Sequence, residues 1–189
     1  MSKWPALIHL VGPPAVGKRT VAVALVEEAN RRGHHTVLVD NHLVARPIFT
    51  VIDNDGIGVL PPQVWPHVHA VRHAVLAAIE ELSPPEWSFV FTNYLLDNDT
   101  SVATTGNLRA LADRRGSTYL PVALDCETQE LLRRVPNPDR REHQKWVDPA
   151  AVRADLERRA VLVPEGSLEI DTTSRPPVES AAAILDALD

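Results

Sequence analysis

The sequence predicts an α/β fold of three layers, in which helices cover both faces of a five-stranded parallel sheet. Short apolar segments alternate along the chain with longer segments of helical periodicity, which is the pattern of β-α-β units. The first apolar segment, Ala6–Val11, is almost continuous, as is typical of a strand buried on both faces. Polar residues follow several of these segments, as expected at the carboxyl edge of such a sheet, where ligands bind.

Five apolar segments are the predicted strands, and their content of Val, Leu, Ile and Phe suits a sheet buried between helices. They are Ala6–Val11, Thr36–Val39, Trp87–Phe91, Tyr119–Leu124 and Leu168–Ile170. Apolar residues recur at steps of three and four in the predicted helices Lys18–Arg32, Pro62–Leu82, Asn107–Arg115, Thr128–Val135, Pro149–Ala160 and Val178–Leu188. Residues Leu43–Leu60 fit neither pattern and receive no assignment.

Several helix ends have a local cause in the sequence. Gly33 and Gly116 follow the first and third predicted helices, where glycine commonly stops a helix. Asp148 precedes Pro149, which together are typical of an N-cap and the first helical position. These signals support the alternation of strands and helices, and right-handed crossovers then make the sheet parallel.

Size and composition favour a single domain over residues 1–189. The chain has 44% hydrophobic residues, so it is long and apolar enough to bury a core without cross-links. Lys plus Arg number 19 and Asp plus Glu 25, and the resulting formal charge of −6 argues against a nucleic-acid partner. Cys126 is the only cysteine, which excludes a disulfide within the chain and a cysteine-rich metal site.

The sequence also bears on location. No segment approaches the ~18 consecutive apolar residues of a membrane helix. The N-terminal residues run into a strand rather than into a signal-peptide core. We therefore expect a cytoplasmic protein with no membrane partner.

The segment between the first strand and the first helix matches G-x-x-x-x-G-K. It reads Gly12-Pro13-Pro14-Ala15-Val16-Gly17-Lys18-Arg19-Thr20, and we call these nine residues the phosphate loop. Glycine lets successive backbone N–H groups turn toward phosphate oxygens, and the helix N-terminus adds a positive dipole end. Lys18 would place a cation on the β- and γ-phosphates. Because the motif sits between a strand and a helix, it predicts an ATP site.

A magnesium ligand is expected from the end of this loop. The residue after Lys18 is Arg19, where such loops commonly have serine or threonine. The hydroxyl comes one position later, and we expect Thr20 to approach Mg²⁺, directly or through water. Asp40, at the end of the second strand, is the second candidate ligand.

Polar residues at other strand ends are candidates for the acceptor side of a reaction. Asp40 is placed to orient or deprotonate a hydroxyl beside the γ-phosphate. Asn41 and His42 follow it, and Asn93 closes the third strand. Arg72, on the long predicted helix, could meet an anionic group. We assign these four residues to substrate binding.

The segment GPPAVGKRT with its following helix, and then DNHL after the second strand, resembles a group of bacterial P-loop kinases. The group includes chloramphenicol phosphotransferases, zeta toxins, gluconate and shikimate kinases and adenylate-kinase-like nucleotide kinases. The resemblance implies a P-loop NTPase fold with a small lid, ATP and Mg²⁺ as cofactors, and Asp40 as the catalytic base. Its specific motifs cover the first quarter of the chain and part of the region from Arg133 to Lys145.

The same resemblance implies roles for two later segments. Residues 133–148 lie where these kinases close an arginine-bearing lid over ATP, and they include Arg133, Arg140, Arg141 and Lys145. Of these, Arg133 and Arg141 rank first as catalytic cations. The segment after the fifth strand often flanks the adenine, which assigns Arg175 and Pro176 to nucleotide binding.

Together these observations predict transfer of the γ-phosphoryl group of ATP to a hydroxyl of a small molecule. Two alternatives stay open. The acceptor could be a nucleotide or sugar nucleotide, as for a toxin-like kinase, although the region after the second strand has Arg46 and little else of an arginine-bearing substrate domain. The chain could instead be a non-catalytic ATP-binding switch or partner module, because the third strand ends in Thr92-Asn93 rather than in a carboxylate.

Overall fold

A computed structural model describes residues 3–53, 60–142 and 145–189, and in these ranges five parallel strands form one sheet. The strands are β1 (Ala6–Val11), β2 (Thr36–Asp40), β3 (Ser88–Asn93), β4 (Thr118–Asp125) and β5 (Leu168–Asp171). Their order across the sheet is β2-β3-β1-β4-β5. The predicted α/β fold with a five-stranded parallel sheet is confirmed, and β1 lies at its centre.

Eight helices accompany the strands in the described ranges, and the last of them follows β5. They are α1 (Lys18–Arg31), α2 (Asn41–Val51), α3 (Val64–Leu82), α4 (Asp99–Arg115), α5 (Thr128–Arg134), α6 (Pro138–Glu142), α7 (Pro149–Arg158) and α8 (Pro177–Asp186). Within these ranges, no helix is long and apolar enough to cross a membrane.

Two helices differ from the sequence-based assignment. The unassigned region Leu43–Leu60 contains most of α2, whose interior Pro47 weakens the helical signal. Its first turn is capped by Asp40, which receives the backbone N–H of His42 at 2.8 Å. Helix α4 begins at Asp99, well before the predicted start, because Asn98 caps it by accepting from the Ser101 N–H at 2.9 Å.

The strand register brings the polar strand ends to one edge of the sheet. Asp40 at the end of β2 is paired with Thr92 in β3. Val11, the last residue of β1, is paired with Asn93 on one side and Ala123 on the other. The phosphate loop leaves this same edge directly after Val11, so it starts beside the ends of β3 and β4.

The two faces of β1 enter different layers of the core. Ile8 and Leu10 pack with residues of α1 and α8 on one face. Leu7 packs on the other face with Ile79 of α3 and with residues of α4. Because side chains alternate along a strand, His9 shares the face of Leu7, and it is completely buried. The sheet therefore carries one buried imidazole on its α3–α4 side.

Candidate active site

The phosphate loop has the backbone geometry that its glycines predict. Gly12 has φ 150°, and a Cβ there would lie 2.4 Å from the carbonyl oxygen of Leu124 in β4. Gly17, with φ 102°, precedes α1 and directs the loop into the first helical turn. Ala15 also has a positive φ, 65°, which is strained for a residue with a side chain. The loop is thus a tight turn whose open side faces a helix N-terminus, an arrangement that can bind an anion.

Lys18 reaches back across this loop. Its Nζ donates to the carbonyl oxygens of Gly12 at 2.7 Å and Pro13 at 2.8 Å. Burial, together with the positive charges of Lys145 and Arg140, lowers the pKa of Lys18 to about 7, whereas the charge of Asp40 raises it. Because burial and two neighbouring positive charges disfavour the charged form of Lys18, an anion bound in the loop would stabilise that form.

Asp40 lies between the phosphate loop and the neighbouring helix α2. Its Oδ1 receives the His42 N–H and lies 3.3 Å from His42 Nδ1, while Oδ2 lies 4.0 Å from Nε of Arg19. Burial raises the pKa of Asp40, but the hydrogen bonds from His42 and the charge of Lys145 outweigh it, so the pKa is below its usual range. Asp40 is therefore ionised at neutral pH. Within the described residues, its Oδ2 makes no hydrogen bond.

The cations of the predicted lid segment fall into two groups. Arg133 is exposed and forms an ion pair with Glu130 at 2.6 Å. Arg140 and Lys145 are partly buried, and both lie close enough to Lys18 to lower its pKa. Arg140 is held by two hydrogen bonds to the carbonyl oxygen of Trp146, at 3.0 and 2.9 Å. The sequence ranked Arg133 first, whereas Arg140 and Lys145 are the cations of this segment whose charges act on Lys18.

The other first-ranked cation, Arg141, belongs to the short helix α6. Its side chain lies outside the described part of the structure, as do residues 143 and 144. The assignment of Arg141 to catalysis therefore stays a prediction.

A cleft opens beside Asp40, between the ends of β2 and β3 and the helices α2, α3 and α4. Its polar lining includes Asp40, Asn41, Arg72, Thr92, Asn93, Thr104 and Asn107, and its apolar lining is Val39, Val44, Val75, Leu76, Phe91 and Leu108. We call it the acceptor cleft. Of the four residues assigned to substrate binding, Asn41, Arg72 and Asn93 line it.

His42 has a different position. It is not among the described residues that line the cleft, and its ring lies against Asp40 instead. Its contribution in this structure is to hold the carboxylate that borders both the cleft and the phosphate loop.

A chain of hydrogen bonds runs from the cleft into the core. Arg72 Nη2 donates to Asn41 Oδ1 at 2.9 Å, and Asn93 Nδ2 donates to the same oxygen at 3.1 Å. Asn93 Oδ1 lies 3.0 Å from His9 Nε2, and His9 Nδ1 lies 3.0 Å from the Tyr119 hydroxyl. We call these five residues the polar relay.

The direction of the polar relay follows from Arg72, which has donors only. Asn41 must therefore present its oxygen, and Asn93 must present its amino group to that oxygen. The remaining Asn93 oxygen accepts from His9 Nε2–H, so His9 Nδ1 accepts from Tyr119. Burial lowers the pKa of His9 to about 4, with the charge of Arg72 adding to the shift, so the ring is neutral at pH 7.

The segment after β5 packs against the phosphate loop. Thr172 Oγ1 lies 2.8 Å from the carbonyl oxygen of Val16 and 2.9 Å from that of Asp125. Arg134 donates to the carbonyl oxygens of Thr172 and Thr173, at 2.8 and 3.0 Å. The nearby Arg175 and Pro176 are exposed. The segment is thus held next to the loop, and the nucleotide contacts of these two residues stay a prediction.

Sequence reasoning missed His9 and Tyr119, and it undervalued Lys145. The only signal for His9 was a single polar residue in an apolar strand. Nothing in the sequence pairs it with Asn93, because that contact depends on the register of β1 against β3.

No family model matches this sequence, and no curated protein matches it. Solved structures match over nearly the full chain. A putative kinase from Chloroflexus aurantiacus J-10-fl aligns with a TM-score of 0.62 and 18% identity, covering 100% of this chain and 97% of that one. The chain has the P-loop kinase fold.

Two further structures with this fold have named activities. A gluconokinase from Sinorhizobium meliloti 1021 aligns with a TM-score of 0.60 and 18% identity, covering 98% of this chain and 94% of its own. An APS kinase from Mycobacterium tuberculosis, solved with AMPPNP and APS, aligns with a TM-score of 0.57 and 16% identity, covering 100% and 99%. At these identities the likeness establishes the shared fold.

Proposed function

We propose that this protein transfers the γ-phosphoryl group of ATP to a hydroxyl group of a small molecule. The observation that carries the proposal is the position of Asp40, which borders the acceptor cleft and lies 4.0 Å from Arg19 of the phosphate loop. A phosphoryl donor in the loop and an acceptor in the cleft would therefore meet at one carboxylate. The P-loop kinase fold, shared with the gluconokinase and the APS kinase, supports this assignment.

In this proposal the phosphate loop binds the triphosphate. The backbone N–H groups of the loop and the N-terminus of α1 supply fixed dipoles, and Lys18 leaves the carbonyl oxygens of Gly12 and Pro13 to contact phosphate. Arg140 and Lys145 stabilise the negative charge on the phosphoryl oxygens, since their charges already act on Lys18. They replace Arg133 in the role of catalytic cation, and the lid assignment for residues 133–148 stays part of the proposal. We place the activity in the cytoplasm, where ATP is abundant.

Asp40 orients the acceptor hydroxyl more than it deprotonates it. Its pKa lies below the usual range, so its basicity is low. Phosphoryl transfer through a loose transition state needs little deprotonation before bond formation, and positioning contributes most of the rate. The Oδ2 atom, which is not used in capping α2, would accept the hydroxyl hydrogen bond. It would receive the proton as the acceptor oxygen bonds to the γ-phosphorus and the bond from that phosphorus to the bridging oxygen breaks, releasing ADP.

The residues present suit a magnesium ion of the kind that accompanies ATP. In the described ranges, no group of three or more His, Cys, Asp or Glu side chains could hold a metal by itself. Mg²⁺ in kinases commonly uses one or two protein oxygens together with phosphates and water. Asp40 and the exposed Thr20, in the first turn of α1, are the residues that would hold it. When bound, the ion would neutralise charge on the phosphate oxygens.

An ATP-consumption assay with magnesium tests the proposal against pooled acceptors. The pools are nucleosides, nucleotides, sugars, sugar nucleotides, hydroxy acids and hydroxylated antibiotics, and ATP binding is measured in parallel. We expect one pool to raise turnover above background hydrolysis, with formation of a phosphorylated acceptor. Stimulation by nucleotides or sugar nucleotides would favour the toxin-like alternative. Intact ATP binding with no stimulation by any pool would contradict the proposal and favour a non-catalytic ATP-binding module.

A further inference from the structure

We propose that Arg19 donates to the β- and γ-phosphate oxygens of ATP and neutralises part of the charge that Mg²⁺ neutralises in other kinases. The inference rests on the proposed function and deepens it, because it concerns how strongly nucleotide binding depends on the ion. Asp40 and Thr20 remain the residues that would hold Mg²⁺. Arg19 lowers the dependence on the ion and does not exclude it.

Arg19 occupies the position of the phosphate loop that commonly carries a metal ligand. It directly follows Lys18, where the G-x-x-x-x-G-K motif continues with a serine or threonine whose hydroxyl contacts Mg²⁺. In this chain the same position carries a guanidinium, which has N–H donors in a planar fork and a permanent charge. Because it belongs to the first turn of α1, this cation is next to the proposed phosphate site.

The side chain of Arg19 lies near the other charged groups of the site. Its Nε is 4.0 Å from Oδ2 of Asp40, which is longer than a hydrogen bond, and 41% of the side chain is exposed. Burial lowers the pKa of Lys145, whereas Asp40 raises it. The charge of Arg19 lowers it further, as does that of Arg140, so Arg19 and Lys145 act on the same region. Among the described contacts, no hydrogen bond uses the guanidinium of Arg19, and its N–H donors can therefore serve a ligand.

Positive charge exceeds negative charge around the phosphate loop. Two carboxylates and four basic side chains interact there: Asp40, Asp139, Lys18, Arg19, Arg140 and Lys145. When Lys18 is protonated, the excess of two positive charges equals the charge of one Mg²⁺ ion. Without Arg19 only one of the two would be left. A triphosphate in the loop would thus be neutralised to a large extent by the protein itself, and Arg19 supplies half of the excess.

The same edge of the sheet offers few oxygen ligands for a cation. β3 ends in Thr92-Asn93 and not in a carboxylate. Asp40 ends β2, but its Oδ1 already accepts from the His42 N–H in capping α2. An ion held by one carboxylate and one hydroxyl would take most of its ligands from phosphate and water. Basic side chains that contact the phosphates directly are then the main contribution of the protein to charge neutralisation.

Calorimetric titration with AMPPNP, a non-hydrolysable ATP analogue, tests the inference in excess Mg²⁺ and in EDTA. The ratio of the dissociation constant in EDTA to that in Mg²⁺ measures how much of the affinity depends on the ion. We expect the wild-type protein to bind the analogue in both media. Arg19→Ser restores the common hydroxyl and removes the cation, and we expect it to increase this ratio by about 10- to 100-fold, the effect of one charged hydrogen bond. Most of the change should be a weaker affinity in EDTA.

Two further variants separate the charge of Arg19 from its shape and its position. Arg19→Lys keeps a positive charge without the planar fork, and we expect its ratio to lie between those of the wild type and Arg19→Ser. Arg31→Ser is the matched control, because it removes an arginine from the last turn of the same helix, where Arg31 pairs with Glu28 at 2.6 Å. We expect Arg31→Ser to keep the wild-type ratio. A cooperative thermal unfolding transition shows that each variant is folded.

The outcomes separate the inference from the function on which it rests. If the wild type binds AMPPNP in Mg²⁺ but not in EDTA, or if Arg19→Ser leaves the ratio unchanged, the inference is overturned and the phosphate loop remains a nucleotide site. An equal increase of the ratio in Arg31→Ser would also overturn it, since the effect would then be one of overall charge. If the wild type binds AMPPNP in neither medium, the proposed function is contradicted and the inference is rejected with it.

Discussion

The phosphate loop and the acceptor cleft lie side by side at the carboxyl edge of the sheet, but they are built in opposite ways. The loop is one continuous segment, and most of the groups that we propose for phosphate binding are backbone N–H groups, positioned by glycines with positive φ. The cleft takes its polar groups from five elements: Asp40 from β2, Asn41 from α2, Arg72 from α3, Asn93 from β3 and Thr104 from α4. The first site depends on local chain geometry, and the second depends on packing between distant parts of the chain.

This difference predicts which property of the protein, binding of ATP or use of the acceptor, each site determines. Changes in the loop should alter affinity for ATP, whereas changes in the cleft and its relay should alter use of the acceptor. Asp40 belongs to both, because it lines the cleft and lies next to Arg19. The predictions below test this separation, beginning with the residue that joins the two sites.

The largest effect is expected from Asp40→Asn. Because Asn caps a helix as well as Asp does, this substitution removes the charge while keeping the start of α2. We expect kcat to fall by about 10²- to 10⁴-fold, since the acceptor hydroxyl loses the group that orients it and receives its proton. Affinity for an ATP analogue should stay unchanged when it is measured without Mg²⁺, the ion that Asp40 would help to hold. Steady-state kinetics with an acceptor found in the screen, together with analogue titration, measure both quantities.

Asp40→Ala is the matched control, because it removes the cap as well and should lower stability by about 1 kcal/mol. If Asp40→Asn keeps its activity, Asp40 has no part in the chemistry and the two sites do not meet there.

The next effect is expected at Lys18. Lys18→Ala removes the cation of the loop, and we expect affinity for ATP to fall roughly 10- to 100-fold through loss of charged hydrogen bonds. Acceptor binding should be unaffected, because Lys18 does not line the cleft in the described structure. Calorimetric titration of each ligand measures this split. Lys18→Arg keeps the charge as a comparison, and unchanged ATP affinity in Lys18→Ala would reject the phosphate loop as a nucleotide site.

His9 tests whether the cleft depends on the polar relay. His9→Leu leaves the oxygens of Asn93 and Tyr119 without their partner, which should lower the free energy of unfolding by about 1–3 kcal/mol. We expect the acceptor KM to rise about 10-fold, because Asn93 no longer holds Asn41 against Arg72. The KM for ATP should not change. Tyr119→Phe is the control, since it removes one end of the relay and keeps the His9–Asn93 contact.

If the role of His9 is purely structural, His9→Leu should lower stability and change the KM values for acceptor and for ATP to the same extent. Equal increases in both would therefore contradict the positioning role and the independence of the two sites.

The same histidine predicts a pH dependence of stability. Burial lowers its pKa from 6.5 to about 4, so between these values the unfolded chain binds a proton that the folded chain does not. Stability should therefore decrease as the pH falls through this window, by up to about 1.4 kcal/mol per pH unit from this group. His9→Gln should lose that component. Denaturant unfolding of both proteins at pH 7 and pH 5 measures the difference, and identical pH dependences would contradict it.

The contrast between the two sites also explains which of their residues could be predicted from the sequence. The loop could be predicted because its seven-residue spacing, preceding strand and following helix are all adjacent in the chain. Asp40 and Asn93 could be predicted as edge residues from their position after strands. The relay could not, because it depends on the pairing of Val11 with Asn93 and on a side chain that crosses from β1 to β3.

Two cations of the predicted lid segment, Arg133 and Arg140, show the same limit of sequence-based prediction. Arg133 lies three residues after Glu130, and such spacing on a helix already indicates a local ion pair. Arg140 lies in α6 and donates to the carbonyl oxygen of Trp146, six residues further along the chain, a contact for which the sequence has no periodic signal. The ion pair of Arg133 can thus be inferred from spacing alone, whereas the contact of Arg140 cannot.

The smallest effect is expected inside the phosphate loop itself. Ala15 has φ 65°, which costs a residue with a Cβ about 1–2 kcal/mol, and Ala15→Gly would remove that strain. Glycine also increases the freedom of the unfolded chain, which offsets about 0.4–1 kcal/mol of the gain. We expect stability to rise by about 1 kcal/mol or less, with acceptor KM unchanged. Gly12→Ala should instead lower stability, because its Cβ would clash with the carbonyl oxygen of Leu124. A loss of stability in Ala15→Gly would show that the side chain of Ala15, rather than backbone geometry alone, holds the loop.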